Sequence, residues 1–93
     1  MYLSLMTTVA PSTLTIQVLL FGSYADSLGR AAIELALLTP ATIADAVAHL
    51  RSLPGGDRVP ARPLCALNLS QAPLETPLSP GDELAVLPPL AGG

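Results

Sequence analysis

Apolar residues alternate with their neighbours across residues 14–21, where Leu14, Ile16, Val18 and Leu20 fall on one side and Thr15, Gln17, Leu19 and Phe21 on the other. A period of two with β-branched enrichment predicts a strand that buries one face. The run AAIELALL alternates again through Ile33, Leu35 and Leu37, so a second strand is expected, forming a hairpin-like pair with the first. Between them, SYADSLG spaces Tyr24 and Leu28 one helical turn apart ahead of Gly29, the pattern of a short helix with a glycine stop.

The period changes at Thr42. Ile43, Val47 and Leu50 recur at helical spacing, Ala46 and Leu53 widen the stripe, and Thr42 with Asp45 forms a capping-box pattern before PGG at 54–56 ends the helix. DRVPARP at 57–63 reads as a loop and LCALNL as a buried strand with Asn68 near its turn end. SQAPLETPL is a short link, SPGD a turn, and ELAVL a last strand that Pro88 ends because it has no N–H to donate. Strand, strand, helix, strand, link and strand predict an α+β roll with one main helix across one face of a small mixed sheet. In that order the first and last strands can lie parallel and adjacent at the sheet centre, the arrangement of a β-grasp fold. Residues 1–12 are expected to be a flexible N-terminal extension, 13–87 the β-grasp domain and 88–93 an extended tail.

Composition narrows the function. The 93 residues suit one domain with one small core. Hydrophobic residues are 51% of the chain, too many for a disordered region, and no apolar stretch approaches the roughly 20 residues that span a bilayer. A net charge of −3, carried against four Arg and no Lys, leaves no basic patch for phosphates, so no nucleic acid and no membrane partner is expected. The N-terminus lacks the basic region of a secretory signal, and the single Cys65 fits a reducing compartment, so a cytoplasmic location is expected. No metal site is expected: Cys65 lies inside an apolar strand as a small core residue, and His49, late in the helix, has no second ligand placed to join it. Asp82 and Glu83 read first as turn residues after Pro80-Gly81.

Two stretches carry a family resemblance. VLLFGSYADSLG at 18–29 and ALNLSQAPLETPLSPGDELAVLPPLAGG at 66–93 resemble the opening and the end of the small sulfur-carrier subunit of molybdopterin synthase, the MoaD type within the MoaD/ThiS group of ubiquitin-like proteins. The chain departs from that pattern in its extra N-terminal residues, in Ala25 where a basic residue is common, and in Leu87 where an aromatic often precedes the prolines.

The resemblance implies that the carboxyl of Gly93 is the reacting group. An adenylating enzyme of the MoeB type would activate it at the expense of ATP, a sulfur donor would convert it to a thiocarboxylate, and the large subunit of the MoaE type would pass the sulfur to a cyclic pyranopterin monophosphate, in a heterotetramer. The chain itself would bind no cofactor and be a non-catalytic sulfur-donor subunit, inactive alone. Gly92 and Gly93 lack a Cβ and so suit a narrow channel, while Pro88 and Pro89 favour an extended course for a tail that continues through Leu90 and Ala91. Phe21 and Leu87 are expected at the partner interface beside the tail, with Asp82 and Glu83 as docking acids. The alternatives are a sulfur carrier of another pathway such as thiamine thiazole synthesis, a ubiquitin-like protein modifier, and a non-catalytic β-grasp interaction module.

Overall fold

The computed structural model describes residues 12–89. Leu90, Ala91, Gly92 and Gly93, and all but Ser12 of the expected N-terminal extension, lie outside the described residues. In chain order the elements are β1 (Thr13–Leu20), α1 (Gly22–Leu28), β2 (Ala32–Leu38), α2 (Ile43–Ser52), a short 3-10 turn (Gly56–Arg58), β3 (Leu64–Leu67), β4 (Ser70–Gln71) and β5 (Glu83–Leu87).

The alternation seen in the sequence becomes a five-stranded sheet in the order β2-β1-β5-β3-β4. β1 runs antiparallel to β2 and parallel to β5, which places the first and last strands side by side at the centre. This is the β-grasp arrangement. On the inner face, Leu14, Ile16, Val18, Leu20, Ile33, Leu35, Leu37, Leu84 and Val86 meet Ile43, Ala46, Val47 and Leu50 of α2. Burial of one such aliphatic side chain stabilises by roughly 1.5–3 kcal/mol, so this contact is what holds the helix on the sheet.

The ends of both helices follow from local chemistry. Thr42 accepts a hydrogen bond from the Asp45 N–H at 3.4 Å while the Asp45 carboxylate accepts from the Thr42 N–H at 2.8 Å, a complete capping box. α1 stops at Gly29, whose left-handed φ of 76° lets its N–H reach the Ala25 carbonyl.

Two parts of the chain differ from the sequence reading. The 57–63 segment begins inside a 3-10 turn, and its Val59 is fully buried. The link after β3 contains a fifth strand, β4, and buries Leu74 and Leu78. Both segments are too short and too rich in Pro to show a period, so their apolar residues carry no pattern until the tertiary fold gathers them.

Cys65 is buried in β3, and desolvation pushes its thiol up to about 11 from 9.0. The native thiol is therefore expected to resist alkylation at neutral pH and to react once the chain is unfolded, which a timed labelling experiment reads directly. The sign for stability follows. Below pH 9 both states keep the proton and the stabilisation is complete. Between about 9 and 11 only the unfolded thiol ionises, so stability falls as pH rises. Replacing Cys65 with Ser should remove that slope.

Candidate functional site

β5 carries the chain to the exit point. Leu20 pairs with Val86, and Leu64 lies opposite Leu87. Phe21 keeps an extended backbone (φ −131°, ψ 154°), so the alternation of β1 runs one residue further and turns its ring outward. Phe21, Leu87 and Leu64 thus share a row on the sheet face that α2 does not cover. Leu19, Ala85 and Ala66 form the next row.

Phe21 and Leu64 are each 45% exposed, and Leu87 between them is half-buried. Together they form a contiguous apolar surface on the open side of the sheet, outside the buried core. Leu19 falls on the outer side of β1 in the sequence, whereas Leu64, Ala66 and Ala85 carry no mark of this site there. Their signal was strand parity: each is one residue from a buried neighbour, so each must face the other side.

The tail root is held in place. Pro88 is half-buried and Pro89 exposed. Gly22 adopts φ +55°, and a Cβ placed on it would lie 3.2 Å from Pro88 Cγ. The proline ring therefore sits against the first residue of α1, and the chain leaves the sheet alongside the apolar row.

Glu83 begins β5 at the end opposite Leu87, roughly 13 Å from it at strand spacing, and Asp82 immediately precedes the strand. Asp82 accepts hydrogen bonds from the Ser79 N–H at 2.7 Å and from Asn68 Nδ2 at 3.0 Å. Asn68 Oδ1 accepts from the Glu83 N–H at 2.9 Å, and the Asn68 N–H donates to the Glu83 carbonyl at 2.8 Å. These bonds tie the β3–β4 turn, where Asn68 has φ 50° and Leu69 φ 75°, to the start of β5. The structure brings Phe21 and Leu87 together and leaves the two acids apart from them. Glu83 still shares the open face, two positions along from Ala85.

His49 is half-buried on α2 beside Asp45, away from the open face. Among the described residues no group of three or more His, Cys, Asp or Glu is placed to hold a metal ion, and no helix is long and apolar enough to cross a membrane. What the described residues present here is an apolar row on the open face, with Pro88 packed against Gly22 where the chain leaves β5.

A model of the ThiS family matches residues 18–93. No curated protein matches the chain. Among solved structures, SAMP1 from Haloferax volcanii is 26% identical with a TM-score of 0.74, over 85% of this chain and 99% of that one. Subunit 1 in the complex of subunits 1 and 2 of molybdopterin-converting factor from Helicobacter pylori is 25% identical with a TM-score of 0.63, over 86% of this chain and 100% of that one. The small archaeal modifier protein 1 from Methanosarcina acetivorans, 19% identical, has the same fold with a TM-score of 0.73 over 88% of this chain and 99% of that one.

Proposed function

Because the chain belongs to the ThiS family, a group of ubiquitin-fold sulfur carriers and modifiers, we propose that it is the MoaD-type sulfur carrier of molybdopterin synthesis. The observation that carries this reading is the convergence of three features at one end of the sheet. These are the apolar row Phe21–Leu87–Leu64, the Pro88-Pro89 exit, and a sequence that continues from it to Gly92-Gly93. A carboxylate is a poor acyl donor until its oxygen is made a leaving group. An adenylating enzyme would join the Gly93 carboxylate to the α-phosphate of ATP with release of pyrophosphate. Hydrosulfide from a sulfur donor would then attack the acyl carbon, expel AMP and leave a thiocarboxylate, its proton passing to solvent. The large synthase subunit would accept the tail and move the sulfur to the pterin. The Helicobacter pylori complex, in which the similar subunit 1 is bound to subunit 2, supports a large-subunit partner of this kind.

The apolar face is the proposed docking surface for that partner. Leu87 sits at its centre, where anchor residues concentrate binding energy. Leu87→Asp is expected to weaken binding to the large subunit by about thirtyfold or more while lowering the melting temperature only modestly, since the half-buried side chain lies on the sheet's open side and outside the core. Titration calorimetry with the purified large subunit measures it. Unchanged affinity would remove this face from the interface.

The similarity to SAMP1 favours a second reading, in which Gly93 ends in an isopeptide bond to a lysine of another protein. The two separate on one assay. With activating enzyme and large subunit supplied, a carrier yields sulfurated pterin and returns with a free C-terminus, whereas a modifier accumulates as conjugates.

A further inference from the structure

The two edges of the sheet are unlike. β4, at one edge, is two residues long and runs straight into Ala72 and Pro73, a blunt end that offers little to pair with. β2, at the other, is seven residues long, contains no proline, and carries one charged side chain, Glu34. Leu20 N–H donates to the Ala31 carbonyl at 2.8 Å, and Thr39 N–H to the Ser12 carbonyl at 3.0 Å, which fixes the hydrogen-bond phase at both ends of the β1–β2 ladder. In an antiparallel pair that phase alternates, so Ala32, Glu34, Ala36 and Leu38 turn their N–H and C=O groups away from β1. Among the described residues those groups have no partner. Leu38 is 64% exposed.

We infer that β2 is a pairing edge for a second copy of this chain, joined antiparallel about a two-fold axis through Leu35. The β2 edge is self-complementary, and the residue pattern selects one register for it. In an isologous contact the same edge faces itself. Centring it on Leu35 sets Glu34 opposite Ala36 and Ala32 opposite Leu38, which places the two carboxylates on a diagonal instead of face to face and lays the exposed leucine over a small residue. Centring on Glu34 would oppose two like charges, which is destabilising. Centring on Ala36 would set Ala32 against Pro40, which has no N–H to donate. The Leu35 register alone satisfies all four outward residues, with up to about eight inter-chain hydrogen bonds.

The groove between this edge and α2, lined by Leu37, Leu38, Pro40, Asp45 and His49, leaves room for a neighbouring strand. β5 lies two strands inward from β2, so the paired form keeps both apolar faces and both tails free for other partners.

The test is sedimentation equilibrium of the full chain from micromolar to millimolar concentration. The expected result is a reversible dimer of twice the 9.5 kDa chain mass. Ala36→Pro deletes an N–H that points away from β1, so it should raise the dissociation midpoint at least about a hundredfold while retaining the β-sheet circular dichroism. A second measurement decides the matter if that variant does not fold. Glu34→Cys and Ala36→Cys chains, mixed under oxidising conditions, should cross-link to each other and not to themselves. A monomer throughout the range, a dimer indifferent to Ala36→Pro in a folded variant, or self-cross-linking of either cysteine variant would overturn the inference. So would protection of the Ala32, Glu34 and Ala36 amides in a monomer, since the edge would then be covered within the chain or by another ligand.

Discussion

Deleting Gly92 and Gly93 is expected to abolish sulfur transfer entirely while leaving the domain folded. The reacting group of the proposed chemistry is the Gly93 carboxyl, and no other group on this chain takes part, so the loss is of kind and not of degree. The described core ends at Val86, and the chain has already left the sheet by Pro88. The truncated chain should therefore melt with the parent. It should also compete with the intact chain for the large subunit, because the row Phe21–Leu87–Leu64 remains. That contrast separates it from Leu87→Asp, whose defect a higher concentration of partner should overcome. No concentration should rescue the truncation. Residual transfer by the truncated chain would remove Gly93 from the chemistry.

The second large effect is on stability. Gly56 is buried where the loop after α2 passes over the helix's last turn. A Cβ built on it would overlap the Leu50 carbonyl oxygen, and the obstacle is backbone, which cannot swing aside. The loop cannot retreat either. The Gly56 N–H donates to the Leu53 carbonyl at 2.8 Å, Ser27 Oγ donates to the Gly55 carbonyl at 2.9 Å, and Arg51 Nε donates to the Val59 carbonyl at 2.9 Å. Gly56→Ala should thus cost about 3 kcal/mol or more, at the upper end for overpacking. For a domain of this size that lowers the melting temperature by about 12 °C or more. Thermal melting followed by circular dichroism checks it. A shift of a degree or two would mean that the loop moves freely and that Val59 is not held by it.

The same loop shows where sequence reasoning stops. Strands β1, β2, β3 and β5 and both helices announce themselves, because a regular element must repeat its apolar positions at two or at three to four. Val59, Leu74 and Leu78 do not repeat with anything. They reach the core only because the sheet and α2 leave space for them, which is a property of the assembled fold. β4 is invisible for a related reason, since a two-residue strand is defined by its pairing with β3 and not by its own pattern.

For the candidate site the balance is different. Leu87 can be found because it stands next to the tail in a recognisable ending, and Phe21 because it stands in the equally recognisable opening stretch VLLFGSYADSLG. The row they belong to becomes evident only through register, which brings Leu64 from β3 and Leu19 from β1 onto one face. Asp82 is a case in which local and tertiary chemistry agree: an acid after Pro-Gly suits a turn, and its carboxylate indeed closes that turn onto Ser79 and Asn68. Its proposed docking role must come second to that bond pattern.

Intact-protein mass spectrometry of the chain from its own cells, with and without its adenylating enzyme, tests the central claim most directly. The predicted result is a chain heavier by the exchange of one oxygen for sulfur, present only when that enzyme is active. A free carboxylate at Gly93 in both samples, with the enzyme demonstrably active, would contradict it.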